Sequence, residues 1–329
     1  MGLLGWSAAT LDMVELATFG ETMLRLSPPD DGRLETTDEF EVFVGGAESN
    51  VAVAASRLGV DAAWLSKVPD SPLGRQVTGE LARHGVTVAA ARSETGRQGT
   101  YYLESGDQPR ETTAIYDRAD AAITTATPGE LDTSYVEDAS VFHTRGITPA
   151  LSETLVDTTE SLLSLATESG TTTSFDLNYR SKLWDPATAR DTIRSLLSAV
   201  DLLFVPERDA GTVLDVEDDA EGIARTLSDA HDIETVVVTR GPEGALALSG
   251  DSVFEQSTYP AGDRRPIGTG DAFVGGFLSQ FTQDADVERA LRWGSATAAL
   301  KRSIPGDMAL VTPEEVEAVL SGETEEIDR

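Results

Sequence analysis

Apolar and polar positions along this chain follow two alternating rhythms. Residues 14–19 read with a period near two and stop at Gly20, which predicts a strand; residues 49–58 carry apolar side chains at helical spacing and stop at Gly59. The order then repeats. Residues 62–68 predict a strand and 73–84 a helix closed by Gly85. Residues 140–143 predict a further strand, after which Thr148 is the expected cap of a helix with Pro149 in its first turn. Strands at 171–176, 202–205 and 235–239 alternate with helices at 187–200 and 220–231. Such alternation predicts an α/β fold, a largely parallel sheet with helices on both faces. Two stretches, about 22–44 and 98–118, are polar, β-prone and without helical period, and are expected to form an antiparallel flap inserted into one domain spanning 14–315. Residues 1–13 and 321–329 are expected to be disordered tails.

Composition narrows the function classes. A formal charge of -32 in 329 residues argues against nucleic acid or an anionic membrane as partner, because both demand basic surface. Lysine occurs only at 67, 182 and 301, and a dispersed acidic, lysine-poor surface suits solubility in concentrated salt. The absence of cysteine excludes disulfides, thiolate catalysis and cysteine–zinc sites. His84, His143 and His231 have no metal-ligand spacing. With no apolar run long enough to span a bilayer and no basic-flanked leader, a cytoplasmic location is expected.

The candidate chemistry begins at Gly268-Thr269-Gly270-Asp271, a glycine turn running into an amphipathic helix. A helix start offers unpaired N–H groups and a positive dipole end, a pocket for phosphate oxygens, and Asp271 at its mouth suits removal of a proton from an attacking hydroxyl. By themselves these residues equally fit a tight turn whose first-turn acid complements the dipole. A second glycine-led helix start, Gly45-Gly46-Ala47-Glu48-Ser49-Asn50, suits close approach of a polyhydroxylated substrate, with Asn50 as donor and acceptor. Asp176-Leu177-Asn178-Tyr179-Arg180 leaves the end of a predicted strand; Arg180 suits a paired clamp on a carboxylate or phosphate, or a structural salt bridge. Thr239 to Ala245, with Gly241 and Gly244, fits a backbone platform for adenine or an ordinary hairpin. Neither a dinucleotide fingerprint nor a Gly-Lys phosphate loop occurs.

In this order and separation the segments resemble the ribokinase-like (PfkB) family of sugar kinases, across nearly the whole chain. The resemblance implies a three-layer α/β sandwich with a small β lid, ATP with Mg²⁺, and transfer of the γ-phosphoryl to a primary hydroxyl. It implies Asp271 as base, an anion hole from Gly268, Thr269 and Gly270, and a nucleotide site at Asn178, Thr239, Gly241, Gly244, Ala245, Gly268, Gly270 and Ser295; no residue is assigned as a metal ligand, because the family's metal-organising Asn-x-x-Glu element appears here as Pro206-Glu207-Arg208-Asp209. Gly99-Thr100-Tyr101, Tyr116-Asp117-Arg118 and Gly146-Ile147-Thr148-Pro149-Ala150-Leu151, with the two strings above, look most like the 2-keto-3-deoxygluconate kinases. That likeness implies substrate binding by Gly46, Tyr101, Tyr116, Arg118, Arg180 and Asp307, beside Gly45 and Asn50, in an Entner–Doudoroff type of route. Two arginines and tyrosine hydroxyls suit a sugar acid better than neutral fructose or ribose. Tyr101 and Tyr116 also fit simple lid packing.

The chain departs from the family pattern at Arg264-Arg265-Pro266-Ile267, where an acid is frequent and Asp263 is displaced, at Pro206-Glu207-Arg208-Asp209, and at Ser295, where asparagine is common. A fructokinase, a ribokinase or a non-catalytic sugar sensor are the alternatives. The resemblance also implies a homo-oligomer, and it leaves open which epimer of the acid is used.

Overall fold

The computed structural model describes residues 14–106, 109–262 and 265–322. In chain order the strands are β1 Leu16–Phe19, β2 Met23–Ser27, β3 Glu41–Gly45, β4 Ala62–Pro69, β5 Thr87–Ser93, β6 Thr100–Glu104, β7 Thr113–Asp117, β8 Val141–Arg145, β9 Thr172–Asp176, β10 Leu202–Pro206, β11 Thr235–Thr239, β12 Ala245–Ser249 and β13 Ser252–Gln256. Nine of them form one sheet, ordered β13-β12-β11-β10-β9-β8-β1-β4-β5, and β3-β2-β6-β7 form a second. The large sheet is parallel from β5 through β11 and antiparallel only at its β12 and β13 edge.

Helices cover both faces of the sheet, and its inner strands β1, β10 and β11 are accordingly apolar at most positions. In β10, Leu203 and Val205 face the helices Glu153–Ser169, Pro186–Leu197 and Ala220–His231, while Leu202 and Phe204 face Ala47–Arg57, Pro72–Arg83 and Thr269–Phe281. The three-layer expectation holds, and the ribokinase-like α/β class with it.

Several local expectations shift. The strand expected at 140–143 runs on to Arg145. Thr148 caps no helix: Pro149–Leu151 makes a single 3-10 turn, and Ser152 caps Glu153–Ser169 by accepting from Leu155 N at 3.2 Å. The flap is mixed rather than antiparallel, since β2 pairs β3 and β6 pairs β7 antiparallel while β2 and β6 run parallel. The reason is topological. Each lid segment follows a parallel core strand, β1 or β5, so the first strand of each leaves in the same direction. The final helix, Pro313–Ser321, ends at Gly322 in the left-handed region, past the domain limit expected at 315. The other expected tail positions lie outside the described residues, as do Asp263 and Arg264. Register places Phe43, Arg25, Tyr101 and Tyr116 in one row across the lid and Val42, Leu26, Tyr102 and Ile115 on its opposite face.

Candidate active site

The order of the large sheet reverses at β1, with β4 and β5 on one side and β8 to β11 on the other. In open parallel sheets the crevice beyond the carboxyl ends at such a point is where ligands gather. Gly20 follows β1 there, Arg145 ends β8 and Asp176 ends β9. Two helices start at this crevice, Ala47–Arg57 and Thr269–Phe281, and both have a glycine N-cap with no side-chain cap bond. The other long helices are capped by Ser71, Ser152, Asp185, Asp219, Asp286 and Thr312 side chains. Among the long helices of the described residues, the two facing the crevice are the ones whose first-turn amides no capping side chain takes.

Gly268 has φ 79°, and a side chain there would collide with the Asp307 carbonyl, so only glycine makes this turn. Within it the Thr269 amide donates to Pro266 O at 3.2 Å, and Ala272 N closes the first helical bond to Gly268 O at 2.9 Å. Among the described residues the Gly270 and Asp271 amides make no backbone bond. A side chain at Gly270 would meet nothing within 4 Å, so space beside that amide is open. Thr269 Oγ1 is buried without a partner. The expected anion hole therefore narrows: the Thr269 amide is already spent.

Asp271 is not isolated. Asn50 Nδ2 donates to its Oδ2 at 2.7 Å and Arg145 Nη1 to its Oδ1, while 16% side-chain exposure keeps it facing the cleft. Asn50, expected on a sugar hydroxyl, meets the carboxylate through its amide nitrogen. Beside them Glu48 is buried, accepts from Thr148 Oγ1 at 2.6 Å, and is raised to about 7, chiefly by burial and against the Thr148 bond and the Arg145 charge.

The lid closes the other end. Tyr101 Oη donates to Asp307 Oδ1 at 2.5 Å and Arg25 Nη1 lies 2.9 Å from Asp307 Oδ2. Burial raises both the Asp307 carboxyl and the Tyr101 hydroxyl. Tyr116 stacks on Tyr101 with centroids 5.6 Å apart, and Arg118 lies over the Tyr116 ring while its Nη2 bonds buried Glu21. Gly45 brings its backbone against Asp307: a side chain there would lie 2.6 Å from Asp307 Cγ. Lys301, buried at the end of Val287–Lys301, donates to Ile304 O at 3.2 Å, and burial lowers it to about 8. The structure thus gathers Gly45, Gly46, Tyr101, Tyr116, Arg118 and Asp307. Arg180 stands apart, exposed, near Asp209 rather than joined to Arg118.

The pattern of the pfkB family carbohydrate kinase matches residues 13–314, almost all of the described chain. The chain belongs to the pfkB family of carbohydrate kinases. It is 59% identical over 96% of its length, and 99% of the relative's, to a 2-dehydro-3-deoxygalactonokinase of Haloferax volcanii. A 2-dehydro-3-deoxygluconokinase of Bacillus subtilis is 33% identical over 94% of this chain and 96% of its own. Among solved structures, the 2-dehydro-3-deoxygluconokinase of Thermotoga maritima superposes with a TM-score of 0.89 at 34% identity, covering 94% and 98% of the two chains. As a pfkB kinase the protein is an ATP-dependent phosphotransferase.

The expected nucleotide residues lie on the adjoining elements. Thr239, Gly241, Gly244 and Ala245 form the turn between β11 and β12, which is the hairpin that the residues also allowed, closed by Arg240 N to Gly244 O at 2.8 Å. Ser295 is buried on Val287–Lys301, the helix packed over β12 and β13. Asn178 has φ 34° and a buried Oδ1 without a partner, an acceptor suited to a ribose hydroxyl. Among the described residues there is no group of three or more His, Cys, Asp or Glu placed to hold a metal ion. No helix among them is long and apolar enough to cross a membrane.

Arg145, Glu48 and Arg25 escaped the sequence reading. Glu48 was visible within a motif but carried no signal of burial. Arg145 was hidden by ending the predicted strand at His143; a charged residue closing a strand at the switch point was the available clue.

Proposed function

We propose that this pfkB kinase transfers the γ-phosphoryl of ATP to the terminal hydroxyl of a 2-keto-3-deoxy six-carbon sugar acid. The observation that carries this reading is Asp271 beside the unspent amides of an uncapped helix start at the switch point. Asp271 takes the hydroxyl proton as the sugar oxygen bonds to the γ-phosphorus and the bridging P–O bond to ADP breaks. The Gly270 and Asp271 amides face the charge on the migrating group. Bound Mg²⁺ would supply charge neutralisation between the phosphates. Arg118, Tyr101, Tyr116 and Asp307 hold the acid under the lid, with Arg180 approaching from the β9 side when the lid closes.

Between the epimers, the 59% identity to a galactonate-type kinase supports the galactonate-derived acid as preferred substrate. The gluconate-derived acid is the second reading, supported by the relatives at 33% and 34%. Either acid is what dehydration of an aldonic acid provides, as in an Entner–Doudoroff type of route in the cytoplasm. ADP release measured over both epimers, fructose and ribose in molar potassium chloride tests this. Preference for a neutral sugar would overturn the acid assignment, and higher kcat/KM for the gluconate-derived epimer would reverse the order. The exposed row Val42 and Ile115, with Phe40, supports assembly of two copies through their lids. Light scattering should then show more than one chain per particle; a monomer would remove that part.

A further inference from the structure

Arg145 is fully buried, and its guanidinium serves two carboxylates at once. Nη1 bonds Asp271 Oδ1, and Nε lies 3.3 Å from Asp176 Oδ2 and 3.3 Å from His143 Nε2. His143 in turn meets Ser174 Oγ through Nδ1 at 2.9 Å. Burial holds His143 well below its ordinary range, with the Arg145 charge acting the same way, so its ring is neutral and Nε2 is an acceptor. A hydrogen-bonded chain therefore runs from Ser174 on β9 through His143 and Arg145 on β8 to Asp271. The Glu48 carboxyl acts on Arg145 through its charge, in space that exists because residue 20 is glycine; any side chain there would collide with it.

This arrangement is costly for the fold. A fully desolvated guanidinium loses strong hydration, and Nη2 is buried without a partner among the described residues. Buried ion pairs give little net stability compared with apolar packing, so stability alone does not account for Arg145. What it does account for is the geometry of Asp271. With Arg145 on one oxygen and Asn50 on the other, both torsions of the side chain are fixed, and each oxygen keeps one lone pair for a hydroxyl. In phosphoryl transfer, where positioning does most of the work, a fixed acceptor matters more than a strong one.

We infer that Arg145 is a positioning residue which, braced by His143 and Asp176, holds the Asp271 carboxylate in line with the attacking hydroxyl. The inference rests on Asp271 as the base. Its test is a double-mutant cycle on the full chain. Arg145→Met should lower kcat about 10²-fold, the size of loss expected from misplacing a reacting group, with KM for ATP and sugar acid within about twofold. In an Asp271→Asn background the same change should cost less than about threefold, because a residue acting only through the carboxylate has nothing left to position. Arg145→Lys, which keeps the charge but not the fork, should recover about tenfold over Arg145→Met. If Arg145→Met does not fold, the cycle is run with Arg145→Lys, expected about tenfold below the native enzyme and neutral on Asp271→Asn. Equal losses in both backgrounds, or an unchanged kcat, would overturn the role of Arg145 while leaving the base intact. Full turnover by Asp271→Asn would instead overturn the base assignment.

Discussion

The two ends of the cleft are built in opposite ways. At the core end, Asp271, Asn50, Arg145, Asp176 and Glu48 sit at strand ends and helix starts of a sheet buried on both faces. At the lid end, Tyr101, Tyr116, Arg25 and Arg118 come from a four-stranded sheet or its edge, whose outer face exposes Val42 and Ile115. On the proposed reading, proton removal falls to side chains set in the core sheet and its helices, and recognition to side chains on the lid, which meets the core through pairs such as Arg118 with Glu21 and Tyr101 with Asp307. The contrast teaches that substitutions at one end should change turnover, and at the other affinity.

The largest separation should come from Asp271→Asn. Loss of the acceptor is expected to lower kcat by about 10²–10⁴-fold with KM little changed, measured by steady-state ADP release. A KM effect of similar size would dissolve the distinction between the ends. Next, the rigidity of the core can be broken directly at Phe204, which packs edge-on against Phe273 and Phe277. Phe204→Ala should cost about 3–5 kcal/mol in denaturant unfolding at fixed salt. A loss under 1 kcal/mol would mean that the layer beneath the catalytic helix is not tightly packed.

Glu48 sharpens the comparison through pH. Its folded-state value of about 7 exceeds the ordinary 4.5, so the folded chain binds more protons between those limits and stability falls as pH rises through that window. The penalty is absent below 4.5 and complete above 7, on the order of 3 kcal/mol. Glu48→Gln, which can still accept from Thr148, should therefore gain stability over the native protein at pH 8 and not at pH 4.5. Melting curves that stay parallel across this range would refute the assignment. The smallest effect belongs to the lid: Arg118→Met should raise KM for the sugar acid about 10–10²-fold, with kcat changed far less. Equal weakening toward a neutral sugar would show that Arg118 does not read the carboxylate.

Much of this molecule was legible in the chain because it is written locally. The strand and helix rhythm, the two lid segments, the glycine-led helix starts and Asp271 all follow from spacing over a few residues, where backbone preference and burial of one face decide the outcome. The parallel pairing of β2 with β6 was not legible, since it depends on which core strand each lid segment follows. Nor was the fate of Asn50, which reads equally well as a sugar ligand until its partner is known. Arg145 and Asp271 are separated by 126 positions, and Asn50 and Asp271 by 221. No local propensity spans such distances. Sequence alone determined that a carboxylate, Asp271, stands in the first turn of a glycine-led helix. Only the tertiary structure decided that a buried guanidinium grips it, because β8 and the start of Thr269–Phe281, remote in sequence, meet at the same crevice and bring the two charges together.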